Sequence, residues 1–284
     1  MAEKLTFKQK VNGQMHKFKL FLKRNMTKTW AKRVTYQIIA FLISVSMIVG
    51  VAIYAFNKTY DERSLTFVDG FTITAHAGAY DTEANTLDAL RVALDNNDDI
   101  IEVDVRQRPD GTVVISHDIV ASNNAATEIE EVFKLIQNND VKVNLDIKET
   151  KTLSNLHNFI YKYELQDRVF LTGIDTIDVN KVKENCPDIA YYLNYSPSRI
   201  EIFSEEYQQK ILDLMEETGA IGINCNYIFA SRTLSKLLHD NGYKLSEWTV
   251  DKKYQMKRAL INRPDNITSR HPDKVKEVIE HWGK

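Results

Sequence analysis

Residues Val34 to Phe56 run for 23 positions without a single charge. As a helix that stretch crosses the hydrocarbon of a bilayer, about 30 Å thick, which takes roughly 20 residues. Tyr36 and Tyr54 stand near its ends, where membrane interfaces favour aromatic side chains. A core helix rarely carries so long an uncharged run directly after Lys32-Arg33. A cleaved signal peptide has a shorter apolar core and a shorter basic region. The sequence therefore predicts one transmembrane helix, residues 34–56.

Charge sets its expected orientation. Residues 1–33 hold ten Lys/Arg against one acid, Glu3, whereas the whole chain has 37 basic and 39 acidic residues. A basic segment of this kind stays in the cytoplasm, which places residues 57–284 outside a single-pass protein of the cell membrane. The same cations suit contact with anionic headgroups. The remainder is acidic in balance, which argues against nucleic acid as a partner. Hydrophobic residues at 43% and charged residues at 27% of the whole chain exclude a collagen-like or disordered class. Cys186 and Cys225 form no CxxC pattern, so no zinc site is expected.

Residues 57–284 alternate β-rich and helical stretches. Strands are predicted at 71–75, 100–105, 112–116, 141–147, 168–172, 189–193, 220–224, 244–250 and 266–269. Helices are predicted at 86–95, 128–137, 153–163, 179–185, 205–218, 231–240 and 253–261. Alternating β and α stretches over this length, with helices between many of the strands, predict a parallel α/β domain. The count favours a closed (β/α)8 TIM barrel over an open dinucleotide-binding sheet, and no GxGxxG follows the first strand. Nine strands exceed eight, so one is extra.

In such a barrel the chemistry belongs at the C-terminal strand ends. The first predicted strand runs into His76. The second carries Glu102 and Asp104, two apart and so on one face. The third ends at His117. The fourth sets Asn144, Asp146 and Lys148 on one face. Buried carboxylates are too costly to leave bare. Three of them match a hard divalent cation, Mg²⁺ or Ca²⁺, better than zinc. Two imidazoles suit acid–base work near neutral pH, and the lysine suits a phosphate. Taken singly, each of these residues also fits a solvated or ion-paired surface position; their conjunction at consecutive strand ends points to a site.

The segments HAGAYDTEANTLDAL, DDIIEVDVRQRPDGTVVISHD, VNLDIKE, LSEWTV and NITSRHPD together resemble the glycerophosphodiester phosphodiesterases, in order from about Ile73 to Asp273. The resemblance implies a (β/α)8 barrel related to phosphoinositide-cleaving phospholipases. It implies hydrolysis of a glycerophosphodiester to an alcohol and glycerol 3-phosphate with one divalent cation. Position by position it implies His76 and His117 as the acid–base pair, with Glu102, Asp104 and Asp146 holding the metal. Lys148 would contact the phosphate and Trp248 would pack on the glycerol. The chain departs from the family pattern at Ala77, where an arginine is usual, and at Ala84, where a glutamate is usual; Glu83 is expected to stand in for the latter. The link from His117 to the next helix is short, so the family's usual cap is largely deleted.

Two functions follow. One is a membrane-anchored phosphodiesterase whose substrate is a small diester, a lipid headgroup or a cell-envelope glycerophosphate polymer. The other is a catalytically inactive module that binds a phosphodiester at the membrane. Both histidines, all three acids and the lysine are kept, which favours the enzyme.

Overall fold

The computed structural model describes residues 13–20, 27–61 and 64–283. Residues 1–12 and 21–26 of the basic segment lie outside the described residues. The chain divides into two compact units between Thr59 and Tyr60.

The first unit holds a short helix α1 (residues 13–20) and the long helix α2 (Lys28–Asp61). Its Lys28–Ala55 part is long and apolar enough to cross a membrane, near the N-terminus, where a signal sequence meets the same criterion. The helix is longer than the uncharged run. Polar residues beyond both ends of a span can continue the same backbone hydrogen bonds in water.

The second unit contains ten strands, β1 (Thr72–Ala75), β2 (Ile100–Gln107), β3 (Val113–Ile115), β4 (Thr127–Glu128), β5 (Lys142–Ile147), β6 (Val169–Ile174), β7 (Tyr191–Asn194), β8 (Gly222–Asn226), β9 (Lys244–Trp248) and β10 (Asn266–Ser269). Eight are parallel, and β1 pairs with both β2 and β10, which closes the sheet into a barrel. The extra strand of the sequence reading is 112–116. It is β3, which runs antiparallel to the end of β2, with Val105 opposite Ile115, and carries the two-residue β4 on its far side. Its tight return through Pro109-Asp110-Gly111 is hairpin chemistry, so it is no member of the barrel.

The helices are α3 (Leu87–Asp95), α4 (Ile129–Ile136), α5 (Leu153–Lys162), α6 (Val179–Asn185), α7 (Glu205–Thr218), α8 (Arg232–Asp240), α9 (Lys253–Asn262) and α10 (Pro272–Glu280). Thr86 and Ser231 cap α3 and α8 by accepting the N–H of Ala89 and Leu234. The helix α10, absent from the sequence reading, opens on Pro272 at its first turn.

The two faces of the sheet differ in chemistry. Val103, Leu145, Leu171, Leu193, Ile223 and Leu245 point outward and form one apolar core with Leu90, Phe133, Leu156, Val182, Ile211 and Leu234 of the surrounding helices. The alternate positions point inward and are polar: Thr74, Glu102, Asp104, Asn144, Thr172, Asn224, Ser246 and Asn266, all buried. They satisfy one another. Thr74 Oγ1 donates to Asn266 Oδ1 at 2.8 Å, Asn266 Nδ2 to Ser246 Oγ at 3.1 Å, and Asn224 Nδ2 to Asn194 Oδ1 at 3.0 Å. Burial of such groups costs little only when they are hydrogen-bonded. The apolar layer holds the fold, and the polar interior leads up to the site.

Candidate active site

The mouth of the barrel, at the C-terminal strand ends, opens into a cavity of about 420 Å³. His76, Glu102, Asp104, His117, Asp146, Lys148 and Trp248 all line it. Strand register sets the acids side by side: Glu102 lies opposite Asn144 and Asp104 opposite Asp146. One ligand atom from each of Glu102, Asp104 and Asp146 falls within 4.8 Å of the others.

Each acid has a distinct setting. Glu102 Oε2 accepts the backbone N–H of Ala77 at 2.6 Å. Burial, then the charges of Asp104 and Asp146, hold its carboxyl well above the ordinary range. Burial pushes Asp104 the same way, but hydrogen bonds from Lys148 and from Asn85 Nδ2, the latter 2.7 Å, win and hold it low. Asp146 Oδ1 accepts from Thr172 Oγ1 at 2.8 Å. Lys148 Nζ lies 2.8 Å from Asp104 Oδ1 and is bonded to Asp146 as well. Burial opposes its charge, yet the two carboxylates keep its ammonium firmly protonated. The donor set is all oxygen, clustered and acidic, with one carboxyl held high by burial and by its neighbours' charges, and so it fits a hard divalent cation.

The histidines approach from two sides. His76 follows β1, and its Nδ1 lies 3.0 Å from the Ala77 carbonyl. A carbonyl only accepts, so Nδ1 carries the proton and Nε2 holds a lone pair. Burial pulls the His76 imidazole below its usual range; the Ala77 contact opposes this and the Arg270 charge adds to it. His117 does not end a barrel strand. The hairpin brings it back to the level of Asp104, whose carbonyl accepts the Ser116 N–H at 2.8 Å. Arg106 fixes the returning chain: its Nε donates to the His117 carbonyl at 2.8 Å and its Nη1 to Glu149 Oε1 at 2.6 Å. The His117 ring is exposed, with Nδ1 3.0 Å from Asp118 Oδ1.

Gly173 holds the floor of the mouth. It has φ 73°, and a Cβ there would stand 2.8 Å from Asp146 Oδ1 and 2.5 Å from the Ile147 carbonyl, so only glycine fits. Trp248 ends β9, and its indole N–H finds no acceptor among the described residues.

Glu83 is a correction. Its side chain is exposed and does not line the cavity. Its carbonyl instead accepts Thr86 Oγ1 at 2.9 Å, at the start of α3. It is Asn85 that reaches the acids: its Nδ2 donates to Asp104, and its Oδ1 accepts the Asp104 N–H at 3.0 Å. The sequence reading also missed Arg270, which lines the cavity from the end of β10. Its Nη1 is held by Asp251 Oδ2 at 2.9 Å. Both residues lie within the motifs of the sequence, Asn85 in HAGAYDTEANTLDAL and Arg270 in NITSRHPD; Arg270 reaches the site because the sheet closes β10 on β1.

The mouth of this (β/α)8 barrel joins three carboxylates, a lysine and two histidines, a set whose chemistry suits an anionic substrate and a divalent cation. The chain is 23% identical over 248 residues to the glycerophosphodiester phosphodiesterase of Caldanaerobacter subterraneus subsp. tengcongensis, covering 74% of this chain and 98% of the relative. Among solved structures it is similar to a glycerophosphodiester phosphodiesterase from Thermotoga maritima, with a TM-score of 0.58, 18% identity, and coverage of 73% and 98% of the two chains. It is also similar to a phosphodiesterase from Oleispira antarctica in complex with sn-glycerol-3-phosphate, with a TM-score of 0.60, 19% identity, and coverage of 74% and 96%. No family model matches the chain. The resemblance read in the sequence stands, and the chain is glycerophosphodiester phosphodiesterase-like.

Proposed function

We propose that this chain is a membrane-anchored, metal-dependent phosphodiesterase that hydrolyses glycerophosphodiesters to an alcohol and glycerol 3-phosphate. The observation that carries the reading is that His76 and His117 line one cavity together with Glu102, Asp104, Asp146 and Lys148. The name of the relative and the product bound in the Oleispira structure support the same reaction.

His76 is the initial base. Its Nε2 takes the proton of the attacking hydroxyl, from water or from the substrate's own glycerol. His117, oriented by Asp118, delivers a proton to the leaving alkoxide oxygen. If the glycerol hydroxyl attacks first, the two roles reverse for the water step. Lys148 and Arg270 bind the phosphate, and Arg270 supplies the guanidinium that position 77 lacks. Trp248 packs on the glycerol. Glu102, Asp104 and Asp146 would hold Mg²⁺ or Ca²⁺, whose chemistry there is to neutralise and polarise the phosphoryl group.

The span at 34–56, the cytoplasmic segment 1–33 and the outward placement of 57–284 complete the proposal, supported by the apolar helix and the basic residues before it. Substrates in a lipid layer or envelope polymer fit a site with a short link after His117.

The test uses the full chain in bilayer discs, assayed on glycerophosphocholine with and without chelator. Turnover abolished by chelator and restored by Mg²⁺ or Ca²⁺ is expected. Metal and glycerol 3-phosphate binding without turnover on any glycerophosphodiester would instead make it the inactive binding module. Protease added outside intact cells should digest residues beyond Asn57; full protection would overturn the orientation.

A further inference from the structure

Within the barrel unit the most exposed large apolar side chains gather at one end. Ile200 is 85% exposed, Ile177 82%, Ile119 79% and Phe203 72%. All four sit on loops that follow strands toward the mouth: Ile119 just past His117, Ile177 between β6 and α6, and Ile200 and Phe203 between β7 and α7. Ile228, 43% exposed, follows β8, and Tyr254, 46% exposed, opens α9. Elsewhere on this unit the exposed large apolar residues are Phe67 and Tyr161, and the Tyr161 hydroxyl is bonded to Asp188. Single exposed apolar residues are ordinary. Six on the loops around one opening are not a scatter.

We infer that this rim docks on a lipid layer, and that the diester entering the cavity is the headgroup of an amphiphile held in that layer. The inference rests on the phosphodiesterase reading and names its substrate class. Three observations select a lipid surface as the occupant.

The first is the cavity lining. It is carboxylate, imidazole, amide, hydroxyl and cation, with Ile147 and Trp248 as its large apolar members. It has room for a polar headgroup and offers no slot for an acyl chain. The tail of an amphiphile must stay outside, and the rim is the apolar surface just outside.

The second is the spacing of the rim. Its apolar side chains stand on separate loops around an open hole. A protein partner binds through a close-packed, dry central patch, which an open mouth interrupts. A fluid lipid layer closes around isolated apolar tips and takes them in to a depth of about 5–10 Å.

The third is charge. The same loops carry both signs, Asp118, Arg199, Glu201 and Lys252 among them, so no single-sign field draws a polyanion. The apolar tips are the attraction. The chain also carries a helix apolar and long enough to span a bilayer, which would hold the barrel where lipid is abundant.

The experiment compares the wild-type chain with the triple variant Ile177→Asp, Ile200→Asp, Phe203→Asp, each reconstituted in phosphatidylcholine bilayers. Two substrates are used: lysophosphatidylcholine within the bilayer and soluble glycerophosphocholine. The variant should lose at least tenfold on the lipid while keeping its soluble-substrate rate within about twofold. Equal loss on both, or no loss on either, overturns the inference.

Absence of turnover on both substrates by the wild type would defeat the phosphodiesterase reading alone, and a second measurement then decides the rim. Cys186 and Cys225 are buried, so an Ile200→Cys variant takes a polarity-sensitive dye at one place. In bilayers its emission should shift to the blue of the same dye at Tyr161→Cys. Matching, water-like emission at both positions would defeat lipid docking. So would a blue shift that persists in detergent and scales with protein concentration, which would mean contact between copies.

Discussion

Lys148 Nζ stands 2.8 Å from Asp104 Oδ1 and also bonds Asp146, so one ammonium bridges two of the three carboxylates gathered for a cation. A cation and Lys148 then compete for the same oxygens. At an effective dielectric near 20, unit charges 4 Å apart interact by about 4 kcal/mol, and a flexible lysine swings away to shed much of that. Lys148→Met should therefore tighten Mg²⁺ and Ca²⁺ binding by about tenfold while lowering turnover, because the phosphate loses its lysine. Calorimetry on the variant checks the first half and kcat/KM the second. Weaker metal binding in Lys148→Met would show that the lysine organises the acids instead of competing for them.

Arg270 should act at the binding step. Asp251 grips its Nη1 and its backbone N–H, which orients the guanidinium and screens its long-range charge. What remains is short-range donation to the phosphate. Loss of one charge-assisted hydrogen bond is worth about 1.5–3 kcal/mol, or one to two powers of ten in kcat/KM. Arg270→Gln should raise KM and the inhibition constant of glycerol 3-phosphate together, with Arg270→Lys recovering part of each. An unchanged KM would remove Arg270 from the substrate.

Much of this site was legible in the chain because its signals are local. Glu102 and Asp104 are two residues apart on a strand, and Asp146 and Lys148 repeat that spacing, so period-two geometry alone places each pair on one face. The (β/α)8 closure followed from counting alternating elements. What escaped rested on turn geometry or on contacts between distant parts of the chain. Whether Val113–Ile115 pairs parallel or antiparallel depends on the tight return at Pro109-Asp110-Gly111. Glu83 and Asn85 differ only in which way a short turn aims them, and the Asn85 contacts with Asp104 decide it. Arg270 lies 194 positions from His76 and meets it only when β10 closes on β1. The α10 helix is short, with its two buried valines, Val275 and Val278, one turn apart.

The histidine assignment predicts unequal consequences. General acid–base catalysis is worth about 10²–10⁴-fold per group. His76→Ala should lose at least the low end of that range on every diester, because its Nε2 lone pair is the only base the proposal provides at that wall. His117→Ala should lose as much on a choline ester, yet far less on a diester with a p-nitrophenol leaving group, which departs without a proton. Comparing the two substrates across the two variants separates acid from base. Rescue of His76→Ala by the better leaving group would exchange the roles.

Stability, in contrast, should turn on a carboxyl away from the mouth. Glu247 lies on β9 between Ser246 and Trp248, is fully buried, and accepts from Asn262 Nδ2 at 3.0 Å. Burial outweighs that hydrogen bond and pushes its carboxyl up to about 8 from an ordinary 4.5. The raised value fixes the sign. Below pH 4.5 the group is neutral in both folded and unfolded chains, and its contribution is fully present. As pH rises toward 8, the unfolded chain gains by ionising and the folded one does not, so stability falls, and it levels off above that. At ~1.4 kcal/mol per pH unit, the loss across the window is about 5 kcal/mol as an upper bound. Glu247→Gln keeps the shape and removes the titration. Chemical denaturation of the variant should show higher stability than the wild type at pH 8 and a smaller decline between pH 5 and pH 8. Parallel pH profiles for the two proteins would mean that Glu247 is ionised in the folded barrel, with Asn262 and water sufficient to carry its charge.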